Sequence, residues 1–139
     1  MKIYLFDSNV CIAYMRQTDP ALVQKVQNTD PKDIRLCSVV LGELYYGAFH
    51  GLAAHQASSL AQIAQWRQNY SSIPFDDASA ERYGQICADL AARGELIGPN
   101  DLLIAAIALV HGLTLVTHNT KEFSRVPGLT LEDWQTPSP

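Results

Sequence analysis

Three acidic residues stand at structural joints of this chain rather than on solvated faces. Asp7 closes the apolar run Leu5-Phe6, Glu43 lies in Leu41-Gly42-Glu43-Leu44-Tyr45-Tyr46-Gly47, and Asp101 opens the stretch Asp101-Leu102-Leu103-Ile104-Ala105-Ala106 after Gly98-Pro99-Asn100. Two carboxylates about 4 Å apart repel by roughly 4 kcal/mol at an effective dielectric near 20. Three brought together therefore take up a proton or bind a cation. Oxygen-only ligands favour Mg²⁺ or Mn²⁺, and no matched His/Cys set competes. Facing a phosphodiester, such a site suits metal-assisted hydrolysis.

Other residues near the same joints have smaller expected roles. Thr117 and Ser8 are hydroxyls at strand ends, suited to supporting the acids. Asn119, with Glu122 three positions on, reads as a capping box for a short helix, which leaves Asn119 able to hold a metal-bound water as well. His118 reads as a surface residue, with a catalytic base as the alternative. Of Tyr45 and Tyr46, one fits core packing and the other exposure, with stacking on a nucleobase or a partner helix as another use.

The elements that must position these groups follow from periodicity and breakers. Lys2 to Phe6 reads as a strand ending at Asp7, with Ser8 or Asn9 capping a helix to about Arg16. Asp19-Pro20 starts a second helix, and Ile34 to Cys37 is a strand. Ser38 is placed to cap the helix that carries Glu43. Residues 54–69 are helical, with Leu60, Ile63, Ala64 and Trp66 toward a core. Residues 72–75 form an edge-like strand containing a proline. Asp76 or Asp77 caps a helix with Ala80, Tyr83, Ile86, Cys87 and Leu90 on one face, stopped by Gly94. The apolar run 102–110 is a buried helix with Asp101 in its first turn. Residues 113–117 are the clearest strand, and 129–131 the last.

Strands alternating with helices imply an α/β fold with a parallel sheet covered on both faces. Ligands of such sheets bind beyond the strands' carboxyl ends, at a switch in strand order. Asp7 and the Thr117-His118-Asn119 segment fall at that rim. Glu43 and Asp101 join them if both lie in first turns.

The chain has 139 residues, 47% of them hydrophobic, which suits one domain, residues 1–135, with a frayed tail over 136–139. No apolar run reaches a membrane span, and no signal-peptide pattern is present, so a cytoplasmic location is expected. Cys11, Cys37 and Cys87 are scattered in apolar contexts and read as buried thiols. The net charge of −4 argues against an autonomous nucleic-acid binder but not against a nuclease whose clustered acids inflate the count.

Taken together, the Leu-Phe-Asp7-Ser-Asn start, the Gly-Glu43-Leu-Tyr-Tyr-Gly helix, Gly-Pro-Asn-Asp101-Leu-Leu-Ile-Ala-Ala and Leu-Val-Thr117-His-Asn119-Thr-Lys-Glu-Phe123 resemble the PIN domain. The nearest likeness is to the VapC toxins of bacterial type II toxin–antitoxin modules, over essentially the whole chain. That resemblance implies a five-stranded parallel sheet flanked by helices and an Mg²⁺- or Mn²⁺-dependent endoribonuclease. Asp7, Glu43 and Asp101 would then bind metal and orient the attacking water. Many PIN domains carry a fourth acid where this chain has Asn119, so one metal, or a second completed by the RNA phosphate, is the better expectation. The resemblance also implies a homodimer, a VapB-type antitoxin in a heterotetramer or larger complex, and an RNA substrate. In several members that RNA is initiator tRNA, cut in the anticodon loop.

Three alternatives are weighed against this. A haloacid-dehalogenase-type phosphatase needs an acid two residues after Asp7, where Asn9 stands. A response-regulator receiver needs an acidic pair at the first strand. A catalytically silent PIN-fold binding module, acting in a repressor or scaffolding complex, would be marked by loss of one of the three acids, and all are present.

Overall fold

The computed structural model describes residues 1–135; the expected frayed tail, 136–139, lies outside them. Five parallel strands pair in the order β3-β2-β1-β4-β5. They are β1 (Tyr4–Phe6), β2 (Ile34–Cys37), β3 (Ser71–Ile73), β4 (Thr114–Val116) and β5 (Leu131–Glu132). The helices are α1 (Ser8–Arg16), α2 (Pro20–Gln27), α3 (Ser38–His50), α4 (Ala53–Asn69), α5 (Asp77–Ala92), α6 (Pro99–Val110) and α7 (Thr120–Phe123).

Adjacent strand residues point to opposite faces. Leu5 and Phe6, Leu36 and Cys37, and Leu115 and Val116 are all fully buried, so both faces of the central strands are covered. Right-handed crossovers place the helices after β1 and β2 on one face and those after β3 and β4 on the other. The direction of strand addition reverses between β1 and β4, which makes that pair the switch point.

Local chemistry sets most boundaries as the sequence predicts. Asp19 caps α2 with Pro20 at its first position, Asp76 caps α5, and β3 is an edge strand, though it spans Ser71–Ile73 and leaves Pro74 outside. Gly94 adopts φ +67° just past α5, a left-handed conformation glycine takes at no steric cost. Cys11 and Cys37 are buried free thiols, while Cys87 is only half-buried.

Several expectations need correcting. Asp7, not Ser8 or Asn9, is the N-cap of α1. Ser38 is the first residue of α3 rather than its cap, Cys37 occupies the cap position, and Glu43 therefore sits in the second turn. Ala64 and Ala80 face solvent, and Ser79 takes the buried place on α5. The last strand is displaced toward the C-terminus, because the Leu129 amide turns back to the Val126 carbonyl at 3.4 Å.

After β5 the chain is pinned by Trp134. Its ring packs edge-on against Tyr4 and Phe6, at centroid distances of 4.9 and 5.3 Å, which holds the preceding Asp133 at the rim of β1.

Candidate active site

Asp7 does two jobs at the end of β1. Its Oδ1 accepts the Val10 amide at 2.8 Å, capping α1. Its Oδ2 accepts the Thr117 hydroxyl at 2.5 Å from the end of β4. Asp7 and Thr117 are both buried, so the switch point of the sheet is closed by a carboxylate–hydroxyl bond. Burial pushes the Asp7 carboxyl above its ordinary range; the Thr117 and Val10 bonds oppose that, and Glu43 and Asp133 reinforce it.

Glu43 reaches the same rim from α3, where its Oε1 accepts the Ser8 hydroxyl at 2.9 Å. Ser8 is thus freed from capping to hold Glu43. Asp101 comes from the first turn of α6. No protein donor reaches its carboxyl among the described residues. Burial, then the charges of Asp7, Glu43 and Glu122, push it up to about 6. These mutual effects put the three predicted acids and Glu122 within electrostatic reach of one another.

Asn119 occupies the cap position of α7 without a side-chain capping bond, so the expected capping box does not form. Its side-chain amide instead donates to Glu122 Oε2 at 3.3 Å. Its backbone amide donates to the Thr117 hydroxyl at 3.0 Å, so Thr117 links Asn119 to Asp7.

Asp133 is the residue that sequence reasoning missed. It adds negative charge beside Asp7 and stands 2.9 Å from His118 Nδ1. Its local context, Glu132-Asp133-Trp134, carries no motif; the buried Trp134 is the only hint that this segment returns to the core.

Among the described residues, no three His, Cys, Asp or Glu side chains already stand where they could hold a metal ion. The chemistry of the donor set fits a hard divalent cation all the same. Three carboxylates contribute oxygen only, Asp101 has no competing donor, and proximity raises its affinity for positive charge. Asp7, Glu43 and Asp101 are the residues that would hold it.

Comparison with known proteins gives the family. The PIN domain family model matches residues 4–129. The chain belongs to the PIN-domain family. It falls among its VapC ribonucleases, being 38% identical to the tRNA(fMet)-specific endonuclease VapC of Shigella flexneri, over 94% of this chain and 97% of the relative. Ribonuclease VapC2 of Rickettsia felis is 34% identical over 95% and 98%. Among solved structures, DNA-bound VapBC from Salmonella typhimurium superposes with a TM-score of 0.88 at 33% identity, covering 96% of this chain and 99% of that one. VapBC2 of Rickettsia felis, bound to a promoter DNA fragment, gives 0.85 at 31%, with the same coverage. This PIN-domain chain thus has the α/β fold and five-stranded parallel sheet that its sequence predicts. Among its described residues no helix is long and apolar enough to cross a membrane.

Proposed function

We propose that this chain is the toxin of a VapBC-type module: an endoribonuclease that hydrolyses RNA phosphodiester bonds with Mg²⁺ or Mn²⁺ and is silenced by a VapB-type antitoxin. The observation that carries the reading is that Asp7, Glu43 and Asp101, contributed by three separate elements, lie within electrostatic reach of one another at one rim of the sheet. The catalytically silent alternative would be marked by loss of one of the three acids, and all three are present.

A bound divalent cation supplies Lewis acidity toward the phosphoryl oxygens and lowers the pKa of water. The chain's own residues do the rest. Asp7, fixed by Val10 and Thr117, sets the position of the charge. Glu43 keeps Oε2 clear of the Ser8 bond, and so has an oxygen with which to orient the attacking water. Asp101, without a protein donor, completes the anionic wall. Asn119 and Glu122 flank that wall where other PIN domains place a fourth acid.

Initiator tRNA is the proposed substrate, since the Shigella flexneri relative carries that specificity in its name. The proposed seat of the antitoxin's C-terminal segment is a cleft of about 280 Å³ between α1, α3 and α4. Ile12, Arg16 and Glu43 are among the residues lining it. The active form is proposed to be a homodimer, and the antitoxin complex a heterotetramer or larger.

RNA ends sequenced after brief induction, together with cleavage by purified protein, test this. The wild type should cut at defined sites and stop when divalent cations are chelated. Asp7→Asn and Asp101→Asn should each lose about a hundredfold or more. Undiminished cutting by both variants would sink the catalytic assignment, and cutting that survives chelation would remove the metal.

A further inference from the structure

Beside the acids lies a second groove, of about 640 Å³, bounded by α1, α3 and α6. Glu43 forms part of its wall, so it opens directly onto the acidic site. The rest of the wall includes Asn9, Val39, Gly42, Tyr46, Asn100 and Leu103, with no Lys, Arg or His among the lining residues. Such a surface cannot neutralise phosphates, and the neighbouring acids repel them. It offers instead apolar area, two exposed amide side chains and one aromatic ring. That is the inventory for a neutral planar group with hydrogen-bonding edges.

The ring is unusually available. Tyr46 is 67% exposed on a helix whose apolar neighbours Val40, Leu41 and Leu44 are buried. One face lies against His50, with centroids 5.1 Å apart and planes within 9°, so the ring is held flat by a partner one turn further along α3. Side chains on a helix lean toward its N-terminus, over the preceding turn. One turn before Tyr46 stands Gly42, and a Cβ built there would meet nothing within 4 Å. Gly42, Glu43 and Tyr46 line the same groove, and position 42 puts no side chain into it beside the ring.

Building on the ribonuclease reading above, we propose that Tyr46 is the stacking platform for one unpaired nucleobase beside the scissile phosphate, with the Asn9 and Asn100 amides addressing its edge. Single-stranded RNA is read by such stacking and edge contacts, and every base has a π face to offer. The platform explains how an acidic protein holds RNA without a basic track in this groove. It also favours looped RNA over duplex, because a paired base cannot enter.

Binding of short single-stranded oligoribonucleotides carrying a fluorescent purine analogue tests this, in the Asp101→Asn background so that nothing is cut. Tyr46→Ala should weaken binding roughly five- to 150-fold, the range a lost base–aromatic stack produces. Tyr46→Phe should restore it. Gly42→Leu, whose Cβ meets nothing within 4 Å and which improves helix propensity, should fill the open side of the ring and weaken binding as Tyr46→Ala does. An oligonucleotide abasic at the stacked position should bind wild type and Tyr46→Ala alike.

Equal losses on abasic and intact RNA would overturn the proposal. So would unchanged RNA affinity in Tyr46→Ala coupled with a loss of antitoxin binding, which would assign the ring to a protein partner. Cleavage by proteins with Asp101 intact, with and without Tyr46→Ala, reports separately on the ribonuclease reading. Normal stacking with no cleavage fails that reading alone, and cleavage without Tyr46 dependence fails this one alone.

Discussion

Asp7 and Asp101 carry the same carboxylate to the same rim of the sheet, yet one is tied into the fold and the other is not. Asp7 is 4% exposed, and each of its oxygens accepts a hydrogen bond, one from a helix start and one from the neighbouring strand. Asp101 is half-buried, faces three other acids and meets no protein donor among the described residues; its carboxyl is pushed up to about 6. The contrast separates two tasks within one site. Asp7 fixes where charge must be, because the backbone of α1 and the hydroxyl of β4 leave it one position. Asp101 stores unfavourable electrostatics, which a cation or a proton relieves.

The largest effect on folding is expected at the tied end. Thr117→Val keeps the buried shape and removes the hydroxyl that donates to Asp7 and accepts from the Asn119 amide. It should cost about 1–3 kcal/mol in urea unfolding, the penalty of leaving buried polar groups unsatisfied. It should also raise the Asp7 carboxyl further. An unchanged urea midpoint would break the contrast, since Asp7 would then need no tie. The same wiring makes Asp7→Asn a better catalytic test than Asp7→Ala, because asparagine can still cap α1.

At the loose end the sign reverses. The folded-state pKa of Asp101 lies above the ordinary 3.8, so the folded protein holds that proton more tightly. Its contribution is favourable at low pH and is lost as pH rises through about 6. A shift of this size corresponds to roughly 3 kcal/mol, which solvent screening of a half-exposed group reduces to about 1 kcal/mol. In chelator, Asp101→Asn should therefore be the more stable protein at neutral pH, by about 4 °C in melting temperature. The gap should close below pH 4. A variant that melts lower than wild type at neutral pH would show that Asp101 is tied after all.

Ser8→Ala probes the intermediate case. It releases one oxygen of Glu43 from a part-buried bond and should cost less than about 1 kcal/mol in stability. Glu43 should lose orientation rather than charge, so turnover should fall while affinity for Mn²⁺ holds. A larger stability loss than that of Thr117→Val would reverse the order of the comparison.

Much of this was legible in the chain. The bounds of β2 and the caps Asp19 and Asp76 depend on a few contiguous residues, and they stand where the sequence puts them. The three acids declared themselves by sitting where carboxylates are costly. What failed was the division of labour among neighbours. Ser8 and Asn9 are good capping residues, but Asp7 reaches the Val10 amide first and leaves Ser8 to Glu43. Placing Glu43 in a first turn failed on the helical repeat: with α3 starting at Ser38, or even capped by it, Glu43 falls past the first turn of about 3.6 residues.

The sequence by itself determined which residues carry the chemistry, the strand–helix alternation and the parallel sheet, because residue type and periodicity are local properties. Only the tertiary structure decided how the carboxylates differ. The Thr117 bond to Asp7 crosses between strands distant in sequence but adjacent at the switch point. Asp133 comes to the rim because Trp134 packs on β1. Asp101 is raised toward neutrality by burial and then by acids contributed from other elements. Burial and through-space charge depend on the distances between elements, and those distances exist only once the sheet has closed.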